Sequence, residues 1–178
     1  MKPSNPSSLL TAYRREIRFF LLFSLLFFLL QAAHYMVRPN IAPFVVDTLT
    51  AGGSSKLINI LMPEEKTVSQ NEYISSGNFK LQIARGCEGM EGIIILIAAI
   101  LAFPAGIRSK ILGLMGGIIV LYGLNLFRIA GLYYILKYKP VWFDLMHIYV
   151  GQTVIIFMAV IYFIAWLNLQ TETNEKNS

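Results

Sequence analysis

Long apolar runs separated by short polar breaks dominate the chain. Ile17 to Val37 is an apolar run of 21 residues rich in Phe and Leu. At ~1.5 Å per helical residue it covers ~30 Å, the hydrocarbon thickness of a bilayer. A second run opens at Cys87 and is ended by Pro104-Ala105-Gly106. A third, Ile111 to Leu136, carries Gly113, Gly116, Gly117 and Gly123, small residues that let helices approach closely. The fourth runs from Trp142 to Leu169, with Trp142 and Trp166 near its ends as expected interfacial anchors. The pattern predicts an all-α integral membrane protein forming one domain over residues 1–178. Its four spans fall at about 17–37, 87–106, 111–136 and 142–169.

Between the first two spans lies the one sizeable polar region, residues 38–85. Ile41-Ala-Pro-Phe-Val-Val reads as the start of a short amphipathic helix on the membrane surface, broken by Gly52-Gly53-Ser54-Ser55. Leu57 to Met62 is a second short helical piece, closed by Pro63 and two glutamates. Phe79, Leu81 and Ile83 alternate with Asn78, Lys80 and Gln82, the period of a strand. With Ser76-Gly77-Asn78 as its turn, this predicts a small β-hairpin whose second strand leads directly to Gly86-Cys87. The tail from Gln170 to Ser178 is polar and reads as disordered.

Composition agrees with this pattern: 56% of residues are hydrophobic and only 14% charged, against about a quarter charged in soluble domains. The net charge of +5 is scattered between apolar blocks, so it argues for membrane topology and not for nucleic acid. Lys2, Arg14 and Arg15 precede the first span, Arg18 stands at its very start, and Arg108 and Lys110 separate the second and third. These flanks, against Lys137 and Lys139 opposite, set the N-terminus, the 107–110 turn and the C-terminus in the cytoplasm. Residues 38–85 then face outward. A signal peptide is the alternative for the first run, but the run is long and no good A-x-A site follows, so an uncleaved span is expected.

The chain has one cysteine, Cys87, which excludes an intramolecular disulfide and a cysteine metal cluster; no cofactor or metal is expected. Under the expected topology Cys87 begins span two on the outer side. Arg128 lies ~26 Å up span three, and His147 lies ~8 Å down span four. Three chemically capable residues thus share one depth. An arginine inside an apolar span is a functional-site candidate by default. Acyl transfer needs these types: a thiolate to attack, a histidine to move protons, and a cation to hold the oxyanion. Asn125 stands three residues before Arg128, and Asp144 three before His147, each placed to orient its neighbour. His34, near the outer end of span one, is a rival histidine.

A helix N-terminus and Arg85 favour the thiolate. Glu91, four residues on, opposes it unless an arginine, Arg85 or Arg128, holds that carboxylate. The bland alternatives are an inert packed thiol, an interfacial histidine and a structural or snorkelling arginine. They correspond to a non-enzymatic membrane scaffold or transporter subunit in which Arg128 is a structural or solute-binding charge.

Cys87-Glu88-Gly89 opening a membrane helix, Ala102-Phe103-Pro104 closing it, Asn125-Leu-Phe-Arg128 in the next helix and His147 at the top of the last resemble the exosortase/archaeosortase family. The compact size and the Leu101-Ala-Phe-Pro run look most like the exosortase H type. The resemblance implies a membrane-embedded cysteine transpeptidase of bacteria, active at the outer face of the inner membrane. Its implied partners are proteins with a C-terminal sorting signal of short motif, transmembrane helix and basic cluster. Such enzymes accompany exopolysaccharide and extracellular matrix systems. It implies Cys87 as nucleophile, Arg128 as transition-state stabiliser and His147 as acid/base. Family members commonly carry Cys-Ser-Gly or Cys-Asn-Gly, whereas this chain places Glu88 beside the cysteine.

Overall fold

The computed structural model describes residues 6–84 and 86–176, with side chains over 13–84 and 86–170. Helix α1, Pro6–Ala42, continues without a break through a π-helical stretch, Pro43–Gly52, into α2, Gly53–Leu61. The expected break at Gly52-Gly53 does not occur: both residues keep right-handed helical angles. A Cβ at Gly53 would stand 2.8 Å from the Tyr122 hydroxyl and 3.1 Å from Leu126. Gly53 serves close packing, not a turn. Nor does the 41–50 segment lie on the membrane as a separate amphipathic helix. Its Val46, Thr50 and Ala51 are buried, and the π-helical stretch packs against the strands.

A short 3-10 turn at Pro63–Glu65 leads into three antiparallel strands, β1 (Val68–Gln70), β2 (Tyr73–Ser76) and β3 (Phe79–Gln82), in the order β1-β2-β3. The β2–β3 hairpin turns where the alternating pattern places it, with Ser76 opposite Phe79. Strand β1 is an addition that the sequence pattern did not single out. It is only three residues long, too short for its exposed, half-buried, exposed alternation to stand out as a period.

Three helices are long and apolar enough to cross a membrane, in Tyr13–Leu61, Ile107–Tyr138 and Leu145–Gln170. Lipid-facing positions such as Phe20, Phe28, Leu112, Ile119 and Phe157 are exposed, as expected of a multi-pass membrane protein. The second expected span is shorter than its apolar run. Helix α3 covers only Met90–Ala102, ~20 Å at helical rise, because Gly89 precedes it in a left-handed conformation and Phe103 leaves it extended. Helix α4, Ile107–Tyr138, overruns its apolar run at both ends, and helix α5, Gly151–Lys176, overruns its own only at the C-terminal end. The polar tail expected to be disordered continues α5 as far as Lys176. Trp166 is not an exposed anchor: it is buried, donates to the Ser109 carbonyl at 3.2 Å and packs on Phe103 and Phe163. Gly113, Gly116 and Gly117 admit Trp166, Tyr162 and Leu96, whereas Gly123 faces open space.

The polar region is fastened to α4 by one buried carboxylate. Glu65 accepts hydrogen bonds from Tyr133 (2.7 Å), Tyr138 (3.0 Å) and Ser76 (3.3 Å), and pairs with Lys137. The Lys137 and Tyr133 bonds hold its pKa down at about 2, from an ordinary 4.5. A depressed carboxylate contributes stability that is full above its ordinary value and lost as pH falls towards its folded one. The purified protein is therefore expected to lose melting temperature between about pH 4.5 and about pH 2. Glu65→Gln is expected to remove this acid limb and cost about 2 kcal/mol at neutral pH. That is less than a fully dry ion pair, because Lys137 reaches solvent. Thermal melts across pH measure both.

Candidate functional site

The loop leaving β3 carries the cysteine. Ile83 still bonds back to Glu72, and Cys87 N–H donates to the Ala84 carbonyl at 3.0 Å. Gly86 and Gly89 both adopt positive φ, +86° and +77°, so the backbone folds back twice around Cys87 before α3 begins. Cys87 thus lies in the turn that precedes the helix, three residues before its first helical position, and not at the helix N-terminus itself. Burial pushes its thiol pKa up; the Arg128 guanidinium opposes this, while Glu88 and Glu91 add to the rise. This environment opposes the thiolate, against the help that a helix N-terminus would have given.

His147 meets the thiol. Its Nε2 lies 2.7 Å from Cys87 Sγ, a contact in which the thiol donates when the imidazole holds its own proton on Nδ1. His147 sits in a π-helical stretch, Leu145–Val150, at the head of α5; such widened turns frequently mark functional positions. Phe143 stacks on the imidazole, ring centres 5.3 Å apart at 15°. Sequence spacing gave no sign of Phe143. Asp144 is exposed and makes no hydrogen bond to His147 among the described residues. It stands at the N-terminal end of the π-helical stretch and acts on His147 through space only. His34 remains on α1, away from the thiol contact made by His147.

Asn125 joins the cysteine turn to the arginine. It is buried, its Nδ2 donates to the Cys87 carbonyl at 3.0 Å, and its Oδ1 accepts from Arg128 Nη1 at 3.4 Å. Arg128 Nη2 donates to the His147 carbonyl at 3.3 Å. The guanidinium therefore bridges the elements carrying Cys87 and His147. Its Nε is buried without a partner among the described residues. Gly151 makes this possible, since a Cβ there would collide with Arg128 Nε.

Glu91 Oε2 is likewise buried without a partner among the described residues, and no ion pair forms between Glu91 and Arg128. The expectation that Arg128 holds this carboxylate is not met, and Arg85 lies outside the described residues. Glu88, by contrast, is paired. Arg38 Nε donates to Glu88 Oε1 at 3.0 Å, and Gly86 N–H donates to Glu88 Oε2 at 2.7 Å. Arg38 was legible only as a residue flanking the first span; a buried glutamate beside the cysteine was the signal that a countercharge was needed.

Gly89 ties the turn to Asn125: a Cβ there would stand 2.8 Å from Asn125 Cγ. Gly89→Ala is expected to combine left-handed strain of about 1–2 kcal/mol with that clash. It should lower the melting temperature by roughly 4–8 °C. A melt equal to wild type would contradict the geometry.

Among the described residues no three His, Cys, Asp or Glu side chains gather as a metal site. The assembled groups suit proton transfer between a thiol and an imidazole beside a fixed cation. An apolar furrow of about 230 Å³ runs between α1 and α5 over α3, lined by Phe19, Phe23, Ile95, Ala99, Val160 and Phe163.

No curated protein and no solved structure matches the chain. A family model described as transmembrane exosortase matches residues 6–166. That range takes in α1, α3, α4 and most of α5, together with Cys87, Asn125, Arg128 and His147, and the chain belongs to the transmembrane exosortase family.

Proposed function

We propose that the protein is a single-domain cysteine peptidase or transpeptidase of the bacterial inner membrane. Its substrates are proteins bearing a C-terminal motif, a transmembrane helix and a basic cluster. The 2.7 Å contact between Cys87 Sγ and His147 Nε2 carries this reading, and the family membership supports it. His147 takes the thiol's proton as sulfur attacks the scissile carbonyl carbon. Arg128 stabilises the oxyanion of the tetrahedral intermediate. That intermediate collapses with cleavage of the C–N bond, and the leaving amine receives the proton held on His147. A thioester to Cys87 remains. An amine or water then attacks the thioester, His147 takes its proton, and the sulfur leaves and is reprotonated.

Asn125 positions both Arg128 and the cysteine turn. Asp144, Glu91 and Arg85 are the remaining charges assigned to the site's surroundings. The substrate's own helix enters laterally, and the furrow between α1 and α5 offers it an apolar seat. The basic flanks place the N-terminus, the 107–110 turn and the C-terminus in the cytoplasm, and the site near the outer face.

Mass spectrometry of a candidate substrate's C-terminus, with and without intact Cys87, tests the proposal. The expected result is a new C-terminus or acceptor adduct that depends on Cys87. The same product in its absence would overturn the reading.

A further inference from the structure

We propose that Arg38 and Glu88 form a charge-compensated positioning pair that fixes the turn of Cys87 and sets the reactivity of its thiol. The inference rests on Cys87 being the nucleophile. Glu88 directly follows Cys87, and its side chain is 3% exposed. One carboxylate oxygen receives the N–H of Gly86, just before Cys87; the other receives Arg38 Nε from the end of α1. A single carboxylate thus clamps the backbone on both sides of the cysteine to a different helix. Gly86 and Gly89 carry positive φ on either side and give the turn no stiffness of their own. The clamp supplies it.

The pair also has an electrostatic role. A bare carboxylate adjoining the thiol disfavours the thiolate, and Glu88 does push the thiol up. Arg38 neutralises that charge while leaving the hydrogen bond to Gly86 in place. The other charged or titratable groups around Cys87 are Glu91 on α3, Arg128 on α4 and His147 ahead of α5, with Arg85 two residues earlier in sequence. Arg38 also lines a cavity of about 480 Å³ shared with Asp47, Glu72 and Gln82.

Cys87 is the only cysteine in the chain, so alkylation of the full-length protein in detergent reads this thiol alone and needs no substrate. N-ethylmaleimide labelling rates are measured across pH for wild type, Arg38→Met, Glu88→Gln and the double variant. Arg38→Met, which exposes the thiol to an uncompensated carboxylate, is expected to move the rate profile up by about one pH unit and slow labelling about tenfold at fixed pH below it. Glu88→Gln, which leaves Arg38 uncompensated instead, moves the profile down, and the double variant lies between the two.

A pair with a purely structural role would lower the melting temperature and leave the profile in place, and that outcome overturns the proposal. Should Arg38→Met not fold, Glu88→Gln decides alone, since it keeps the acceptor for Gly86 and removes only charge; an unmoved profile again overturns the pair. Failure of the peptidase reading shows differently, as product formation without Cys87, and leaves these labelling profiles unaffected.

Discussion

Cys87→Ala is expected to leave substrate uncleaved while the protein still inserts and melts near wild type. Removing the nucleophile of a catalytic unit costs on the order of 10⁶ in turnover, because the covalent route disappears and only binding remains. The side chain is small and 6% exposed, so truncation to alanine leaves little cavity and should cost stability only about 1 kcal/mol. Activity and folding therefore separate cleanly. Cys87→Ser is expected to fare almost as badly. Burial already opposes the thiolate, and a hydroxyl is harder still to deprotonate. Substrate processing followed by mobility shift, alongside membrane fractionation of the variant, measures both halves. Normal processing by Cys87→Ala would end the nucleophile assignment.

Arg128 should show the second largest effect, and its lysine variant is the sharper test. Arg128→Ala is expected to lower turnover by about 10²–10³, the usual loss on removing one donor to a developing oxyanion. The guanidinium spans two partners at once, the Asn125 Oδ1 and the His147 carbonyl. A lysine ammonium is a point charge on a flexible stem and cannot bridge both. Arg128→Lys is therefore expected to lose nearly as much as alanine, with Cys87 labelling slowed as His147 loses its tether. A scaffold or solute-binding role would need only the charge, so full function in Arg128→Lys would favour that alternative. The unpartnered Nε fits the catalytic reading. A buried unpaired donor costs about 1–3 kcal/mol in the resting protein, a cost that a substrate oxygen would offset.

Much of the architecture could be read along the chain. Long apolar runs mark spans because lipid offers the backbone no hydrogen bonds and forces helix. The alternation at 78–83 marks β3 because one face meets the core, with Leu81 and Ile83 buried. The errors came where local rules depend on what lies opposite. Gly52-Gly53 looked like a break, but Tyr122 and Leu126 press against Gly53 and need its missing side chain. Trp166 looked like an anchor, yet the glycine at 113 gives the indole a place inside.

The sequence by itself determined the membrane class, the sites of the main helices and the residue types able to perform acyl transfer. These follow from hydropathy and period, which are properties of consecutive residues. Only the tertiary structure decided which groups meet: His147 and not His34 on the thiol, Asn125 on the cysteine carbonyl, and Arg38 on Glu88. It also left Glu91 without Arg128. Contacts between residues 38 to 60 positions apart depend on how helices pack and on where the chain can turn. Left-handed glycines, a π turn and a close glycine contact set those angles, and none of them leaves a periodic trace in the sequence.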